Sequence, residues 1–455
     1  MGRIRRQCGS RRSPRASRPV RRDAPGEDAM KIWQSGEEKG ERYLQQLEAR
    51  YARLFPAQLD EKARRTVAAV AKQGDKALVA YVRRLDLKGR PTEGFRLHGT
   101  VAGGEDVGEE FVNAVELALA NLKGFHEPQA VKGFTPEGDD GLGIRVRPIE
   151  SLGVYVADGS AASLASLLTA VVPARIAGVS RIAVATPPRA FLASPQLRYL
   201  LDRLDLREIY LMGGAHAVAA LAYGTDSVAP VDKIVGAGGR MVAAAKRAVC
   251  GVVGVDAAAD PYEMVIVADA RAEAEIAAGD LLAAAGRDED ALAVLVTSSK
   301  SLAAKVERRV AARVRALPRK HPARSALKNW GAIVLVPDLD AAAEVVNRIA
   351  PQHVELLVAE PLRVQDLIER AGMVSVGPWS PPALADLVLG GGLSLPAAGG
   401  ARFASPLGVW DFVRRTVVAR AAAHRYPALA RAAAALAPKD ELHEEALRAG
   451  SRGTM

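Results

Sequence analysis

The spacing of apolar residues changes once along this chain. Between residues 37 and 123 apolar positions recur every three to four residues, which predicts amphipathic helices over 37–54, 57–84 and 105–123. From "SLGVYVADG" (151–159) onward, short continuous apolar runs alternate with helical segments. Such runs are typical of parallel strands that are buried on both faces.

The alternation of strands and helices forms two consecutive series. The first series contains "SLGVYVADG", "RIAVATPP", "EIYLMGG" and "DKIVGAGG", and the second contains "EMVIVAD", "ALAVLVTS", "GAIVLVP", "HVELLV" and "MVSVG". We therefore predict an α/β protein with two Rossmann-like, doubly wound parallel sheets. Ala-rich helices predicted over 425–437 and 439–449 are too small for a core of their own, so we expect them to pack on another domain or subunit.

Length and composition exclude several classes of protein. With 455 residues and 49% hydrophobic content, the chain can form two or three domains with large cores. No apolar run approaches the roughly 18 residues that a membrane span needs. The two cysteines, Cys8 and Cys250, are far apart and indicate neither a disulfide framework nor a cysteine zinc site. We predict a cytoplasmic protein.

The positive charge is concentrated at the start of the chain. Residues 1–29 contain nine arginines and three acidic residues, which is +6 of the total net charge of +10. An arm that binds nucleic acid is one interpretation. A misplaced start or a disordered tail is favoured, because Met30 opens "MKIWQSGEEKGERY" and no later basic stripe with aromatic residues supports nucleic-acid binding. No nucleic-acid or membrane partner is predicted.

Six ordered segments carry a resemblance to a known family. They are "GVYVADG" (153–159), "GGAHAVAALAYGT" (213–225), "VDKIVGAGGRMVAAAKR" (231–247), "DLLAAAGRDEDALAVLVT" (280–297), "NRIAPQHVEL" (347–356) and "ARFASPLGVWDFVRR" (401–415). With these segments the chain resembles the histidinol dehydrogenase family over nearly all of residues 30–450. The resemblance implies zinc-containing, NAD-dependent homodimers that oxidise L-histidinol to L-histidine through the aldehyde.

The resemblance also implies a domain organisation, with two incomplete Rossmann-like domains and terminal segments that intertwine the dimer. We predict an N-terminal extension (1–29), an N-terminal helical segment (30–54), a first α/β domain (55–151 with 262–407), an inserted NAD-type α/β domain (152–261) and a C-terminal helical dimerisation segment (408–455).

The catalytic turn of the family departs from its pattern in this chain. Where the family has Pro-Glu-His, this sequence has Pro351-Gln352-His353. The resemblance implies that His353 handles the alcohol proton and that the missing glutamate would activate water in the second step. Gln352 cannot take up a proton, and a lost general base typically costs about 10²–10⁴ in rate. Without the resemblance, a structural role is the favoured interpretation of His353 at a turn, and the resemblance makes the catalytic and structural interpretations about equal.

The zinc ligands implied by the resemblance are mostly replaced. Ala284 and Arg287 stand where the family has glutamine and histidine, and Glu445 stands for a histidine of the partner subunit. Only Asp386 matches. Arg287 would repel a divalent ion at about 4 Å by on the order of 8 kcal/mol at an effective dielectric near 20. We therefore predict that zinc is absent and that Arg287 pairs with Asp386 instead.

The positions of substrate and cofactor contacts also change. On the substrate side, the resemblance aligns Tyr262 with a serine, Gly392-Leu393 with asparagine-histidine, and Asp440 with a glutamate. On the NAD side, Tyr155 matches the family, whereas the other contacts become His216 and Gly239, and Pro-Gly-Gly becomes Ala157-Asp158-Gly159.

Purely structural roles would also explain several of these residues. Asp158 reads as a helix or turn cap, His216 as a capping or packing residue, and Tyr155 as a packed strand tyrosine.

Three functions stay open at this point. The chain can be an NAD-dependent dehydrogenase that acts on histidinol or a related small amino alcohol. It can be a catalytically inactive paralogue that serves as a dimeric binding or regulatory scaffold. It can also be a metal-independent dehydrogenase of a more apolar alcohol, since the substrate positions become bulkier and less polar.

Overall fold

The computed structural model of the protein describes residues 30–87, 96–97, 107–135, 140–257, 260–391, 395–436 and 448. The predicted N-terminal extension, Gly392-Leu393, Asp440, Glu445 and most of the second predicted C-terminal helix lie outside these residues. Within the described part, no helix is both long and apolar enough to cross a bilayer.

The described residues form fourteen strands, numbered in chain order. They are β1 Lys31–Gln34, β2 Arg96–Leu97, β3 Gly141–Pro148, β4 Ser151–Tyr155, β5 Arg181–Thr186, β6 Glu208–Leu211, β7 Lys233–Val235, β8 Gly254–Val255, β9 Glu263–Ala268, β10 Leu292–Thr297, β11 Ala332–Leu335, β12 His353–Leu357, β13 Met373–Val376 and β14 Val413–Arg420.

The described residues also form seventeen α-helices. They are α1 Glu38–Glu48, α2 Arg50–Leu54, α3 Ala57–Gln73, α4 Asp75–Tyr81, α5 Glu109–His126, α6 Ala161–Ala177, α7 Pro188–Ala193, α8 Pro195–Arg203, α9 Gly214–Tyr223, α10 Gly239–Val249, α11 Ala274–Ala285, α12 Lys300–Ala316, α13 Pro322–Asn329, α14 Leu339–Ile349, α15 Pro361–Leu367, α16 Pro382–Leu384 and α17 Tyr426–Leu436. Two π-helical turns, Val82–Asp86 and Ala385–Leu389, follow α4 and α16.

The first sheet has the order β1-β11-β10-β9-β12-β13 and is parallel throughout. Successive residues of its central strand β9 face opposite sides, so Val265 belongs to one core and Ile266 to the other. Helices α11, α12 and α13 cover one face, and α1, α2, α14 and α15 cover the other. Both faces are therefore buried, which explains why the strands are continuously apolar.

The second sheet has the order β2-β6-β5-β4-β7-β8. Its strands are parallel except for the short edge strand β2, which runs antiparallel to β6. Helices α3, α4, α9 and α10 pack on one face, and α5, α6 and α8 pack on the other. The predicted α/β class with two doubly wound, Rossmann-like parallel sheets is confirmed.

The segment between the N-terminal region and β4 packs differently from the prediction. We assigned residues 55–151 to the first α/β domain, but Val67 and Leu78 of α3 and α4 share a core with α9 and α10 of the second sheet. Val115 of α5 packs with α6 in the same way. Periodicity shows which face of a helix is apolar, but not which sheet covers it. The other domain boundaries stay predictions.

Both terminal segments that we described as helical also contain a strand. Residues 31–34 form β1 at the edge of the first sheet. Residues 413–420 form β14, which pairs with β3 in a two-stranded antiparallel ribbon. The runs "KIWQ" and "VRRTVVAR" are rich in β-branched and aromatic residues, which favour strands. The predicted helical segments 30–54 and 408–455 are therefore wrong at these positions, whereas α17 lies where the first C-terminal helix was predicted.

Candidate functional site

The predicted site residues lie at a cleft between the two sheets. Parallel strands β9 and β12 of the first sheet begin at this cleft, and β4 and β7 of the second sheet end there. The cleft has a volume of about 250 Å³ and is lined by residues of both halves, among them Tyr155, Gly239, Tyr262, Arg287 and Gln352. A larger cavity of about 670 Å³, beside Phe403 and Asp411, contains none of the predicted site residues.

Helix α11 and the turn after it carry one side of this site. Asp280 and Ala284 are four residues apart and lie on one face of α11, and Arg287 follows in the turn after the helix. Arg287 Nη1 donates to Asp386 Oδ2 at 2.5 Å, and its guanidinium lies 4.1 Å from the ring centroid of Tyr262. The predicted pair of Arg287 and Asp386 is therefore present.

The acid of this pair is far more buried than the base. The Asp386 side chain is 1% exposed and the Arg287 side chain 29%. Burial raises the pKa of Asp386 to about 6, although the neighbouring Arg287 opposes the shift.

His353 lies beneath Tyr262 and does not line the cleft. Its ring is 4.8 Å from that of Tyr262, and Nε2 is 3.6 Å from Asp386 Oδ1. Neither ring nitrogen makes a hydrogen bond within the described residues. Burial, with Arg287 adding to it, lowers the pKa of His353 to about 3, so the imidazole is neutral at physiological pH.

Gln352 connects two backbone segments beside the cleft. Its Oε1 accepts a hydrogen bond from the N–H of Glu263 at 3.2 Å, and its Nε2 donates to the carbonyl of Leu395 at the same distance. The residue is 3% exposed. The amide thus acts as donor and acceptor at once, which a carboxylate cannot do.

A buried ion pair supports the turn that holds Tyr262. Arg50 donates to both carboxylate oxygens of Glu263, at 2.5 and 2.8 Å, and both side chains are 1% exposed. Arg50 also donates to the carbonyls of Leu47 and Ile349. A bidentate pair of this kind fixes orientation as well as charge. The N-terminal helix α2 therefore positions the start of β9.

Two carboxyl groups that the sequence analysis did not single out, those of Asp280 and Glu355, interact electrostatically with each other. Glu355 is fully buried, and no N–H or hydroxyl group of the described residues donates to it. Burial raises the pKa of Glu355 to about 8, and the neighbouring Asp280 adds to the shift; the pKa of Asp280 is raised as well. Two ionised carboxylates cannot donate to each other, so a hydrogen bond between Asp280 and Glu355 requires that one of them keeps a proton.

The sequence did contain a signal for this acid pair. Asp280 stands on the same helical face as Arg287, and Glu355 follows His353 at the two-residue period of a strand face.

The predicted cofactor contacts are only partly brought to the cleft. Tyr155 lines it, and its hydroxyl accepts a hydrogen bond from Gly214 N–H at 2.8 Å. The ring packs on Gly238, where a Cβ would lie 2.4 Å from Tyr155 Cε1. His216 is 1% exposed and does not line the cleft; it stacks on Tyr81 at 5.6 Å.

Aspartates hold the backbone N–H groups at this edge of the second sheet. Asp158 accepts from Ser160 N–H at 2.9 Å and from the Ser163 hydroxyl at 2.7 Å, in agreement with the capping interpretation. The N–H of Gly239 donates to Asp260 at 2.8 Å. Asp260 had not been singled out in the sequence.

Comparisons with known proteins agree on one family. The sequence profile of the family described as histidinol dehydrogenase matches residues 51–452. The histidinol dehydrogenase of Bacillus cereus is 39% identical over 369 residues, which cover 80% of this chain and 86% of that protein. The histidinol dehydrogenase of Thermotoga maritima is 39% identical over 367 residues, with the same coverage. The crystal structure of histidinol dehydrogenase from Elizabethkingia anophelis matches with a TM-score of 0.81 at 25% identity, covering 93% of this chain and 97% of that one.

Proposed function

The chain belongs to the histidinol dehydrogenase family, and we propose that it is a member that has lost zinc-dependent histidinol oxidation and instead binds a small ligand in its cleft. The salt bridge between Arg287 and Asp386 carries this proposal. This salt bridge places the fixed positive charge of Arg287 at the position where the resemblance implies two metal ligands. The proposal therefore keeps the family scaffold and changes its chemistry.

The side chains present do not fit a zinc ion. Zinc is held by three or four histidine, cysteine or carboxylate ligands in tetrahedral geometry. Here Ala284 offers no donor atom, Arg287 offers only N–H donors, and one oxygen of Asp386 is already bound to Arg287. Among the described residues, no group of three or more histidine, cysteine, aspartate or glutamate side chains could hold a metal ion. We therefore derive no step through a metal.

The residues at the acid–base positions of the family, Gln352 and His353, are also unsuited to the proton transfers of histidinol oxidation. Gln352 has both ends of its amide engaged by backbone groups and has no proton-accepting function. His353 is a neutral base, but it is buried and does not line the cleft, whereas the neighbouring Tyr262 does. A general base must come within hydrogen-bond reach of the proton that it removes. This arrangement supports a binding role over oxidation of histidinol.

The cleft itself favours a small polar ligand. Its volume of about 250 Å³ is below the roughly 300–1,000 Å³ of pockets that hold drug-sized molecules. Polar residues line it from both sheets, including Ser163, Asp288 and Arg287, whose guanidinium is partly exposed. A few convergent polar groups in a concave site are typical of ligand recognition.

A second function is favoured by one observation. His353 Nε2 and Asp386 Oδ1 are 3.6 Å apart, so a histidine–carboxylate pair survives without the metal. Such a pair would suit a metal-independent, NAD-linked dehydrogenase of another alcohol, provided that Tyr262 moves aside to admit the substrate and that the cleft admits NAD, which the inference below argues against.

The test is a histidinol-dependent NADH assay on the full chain, run with and without zinc and with and without a chelator. No NADH formation in any condition is the expected result. Turnover that the chelator abolishes would overturn the proposal. Chelator-insensitive turnover of another alcohol, lost in His353→Gln but kept in the distant control His424→Gln, would favour the second function. The predicted homodimer and cytoplasmic location stay predictions.

A further inference from the structure

We infer that the cleft excludes NAD and other phosphate-bearing ligands, because the chain's own aspartates occupy the helix N-termini at which such ligands would bind. The inference deepens the proposed function: the ligand of the cleft is a small molecule without a phosphate group. It rests on the proposed function only in treating the same cleft as the ligand site.

Helix N-termini are the usual phosphate sites of doubly wound folds. The first N–H groups of a helix have no partner within the helix, and the helix dipole adds a partial positive charge there. Phosphates bind at this position in Rossmann-like units. In the second sheet, α6, α9 and α10 begin after the carboxyl ends of β4, β6 and β7. All three helices are long enough for such a site.

The start of α6 is filled by Asp158. Its Oδ1 accepts from the N–H of Ser160 and from the hydroxyl of Ser163, while Ser160 Oγ in turn accepts from Ser163 N–H at 3.3 Å. These bonds lower the pKa of Asp158 in spite of its partial burial, so the carboxylate is charged. Asp158 and both serines line the cleft. A negative group therefore lies beside the first turn of α6, bound to the N–H of the N-cap residue Ser160, while the Ser160 hydroxyl takes the N–H of Ser163.

The start of α10 is occupied by Asp260, whose pKa is raised by burial while the bond from Gly239 opposes the shift. Its Oδ2 accepts from the N–H of Gly239 at 2.8 Å, and both residues line the cleft. Gly239 has a φ of +73°, a left-handed conformation that favours glycine at this position. Asp288 also lines this side of the cleft and adds a further negative charge.

At the start of α9, next to Tyr155, an aspartate again accepts a backbone N–H bond. This aspartate comes from a segment outside the second sheet. Asp86, from the π-helical turn after α4, accepts from Gly213 N–H at 3.0 Å and lies 2.9 Å from His216 Nε2. The hydroxyl of Tyr155 takes the next N–H, that of Gly214. The positions aligned with family cofactor contacts are thus engaged within the protein itself.

These bonds have a direct consequence for a dinucleotide. A pyrophosphate would bring negative charge beside Asp158 and Asp260, and it would have to displace both carboxylates to reach the N–H groups. Unlike a bound cation, these carboxylates offer it no favourable contact. The volume of about 250 Å³ is also small for a dinucleotide. NAD therefore does not fit the cleft.

The test is calorimetric titration of the full-length protein with NAD and with inorganic pyrophosphate. The variants are Asp158→Asn, Asp260→Asn and the double variant. The matched control is Asp232→Asn, because Asp232 also accepts two backbone N–H bonds, from Glu150 and Ser151, but lies at the opposite end of β4. Melting temperatures verify folding. If an asparagine variant does not fold, Asp158→Ser or Asp260→Ser replaces it, because serine keeps the cap without the charge.

Wild type and Asp232→Asn should bind neither ligand below millimolar concentration. Each cleft substitution should tighten pyrophosphate binding by about tenfold, which corresponds to about 1.4 kcal/mol per neutralised charge. Wild-type binding of NAD or pyrophosphate at micromolar concentration would overturn the inference, as would a double variant that binds no better than the control. The outcome is separable from the proposed function, which depends on histidinol turnover and not on phosphate affinity.

Discussion

Asp386 is held by Arg287 across 2.5 Å, and the carboxylate is almost completely buried while the guanidinium reaches the cleft. A carboxylate that would help to hold a metal therefore has an arginine as its counter-ion. Arginine keeps its charge at any physiological pH. We therefore expect that added zinc will not load this site.

The first prediction concerns metal content. Purified protein should contain no stoichiometric zinc, and added zinc should leave its melting temperature unchanged, because a ligand that binds only the folded state would otherwise stabilise it. Elemental analysis and a thermal shift series measure both. Zinc near one per subunit, removed by a chelator with a fall in melting temperature, would show that other side chains form the ligand set.

The second prediction concerns the salt bridge. Arg287→Ala should destabilise the protein by about 2 kcal/mol at pH 8, since a buried charged acceptor loses its partner. The loss should shrink at pH 5, because the folded-state pKa of Asp386, already about 6 in wild type, rises further without the arginine and the protonated acid needs no counter-ion.

Urea unfolding at the two pH values measures the effect of Arg287→Ala. The control is Arg313→Ala, which breaks an exposed pair with Glu275 and should cost less than about 1 kcal/mol at both pH values. Equal losses at pH 5 and pH 8 for Arg287→Ala would contradict the assignment of Asp386 as its charged partner.

The third prediction concerns Gln352. Gln352→Glu should lower stability by roughly 1–3 kcal/mol at pH 8, because a carboxylate cannot donate to the buried carbonyl of Leu395. The protonated acid can donate, so the loss should diminish towards pH 5. The variant should not oxidise histidinol, since it restores neither the metal ligands nor access to His353.

A matched control exists in Gln129. Its side chain also accepts from one backbone N–H, of Val409, and donates to one carbonyl, of Phe125, but it is less buried. Gln129→Glu should therefore cost less than Gln352→Glu. NADH formation from histidinol by the Gln352→Glu protein would mean that the missing carboxylate alone had silenced the enzyme.

The fourth prediction concerns the acid pair. The pKa of Glu355 is raised from 4.5 to about 8 in the folded protein, so the folded state keeps a proton that the unfolded chain releases. Stability from this group is therefore complete below about pH 4.5 and falls as pH rises to about 8, by at most about 1.4 kcal/mol per unit. Glu355→Gln should flatten the unfolding free energy over this range. The exposed Glu110→Gln should leave the wild-type slope unchanged, and an equal slope in Glu355→Gln would refute the shared proton.

The α/β fold with two parallel sheets could be predicted from the sequence. Helices cover both faces of each sheet, and continuous apolar runs such as "EMVIVA" result from that environment. The sequence did not show which sheet each helix packs against. The apolar stripe of α3 fits either sheet, and only the three-dimensional arrangement brings Val67 to α9 and α10.

In the candidate site, too, some contacts could be predicted from the sequence and others could not. The pairing of Arg287 with Asp386 was predictable because the resemblance placed both residues in one pocket. Asp86 and Asp260 were not, because each reaches its helix N-terminus from a different segment, and a single aspartate in a sequence does not indicate which N–H group it will meet.

The ion pair of Arg50 with Glu263 also has a consequence for the order in which the protein folds. Its hydrogen bonds join positions 213 and 299 residues apart, because Arg50 binds both Glu263 and the carbonyl of Ile349. Closing such long loops costs entropy before any contact repays it, and non-local contacts form slowly. The start of β9, and with it the cleft, should therefore become protected from hydrogen exchange later than the local helix pair α3 and α4. Pulse labelling during refolding would show equal protection times if the cleft instead formed early.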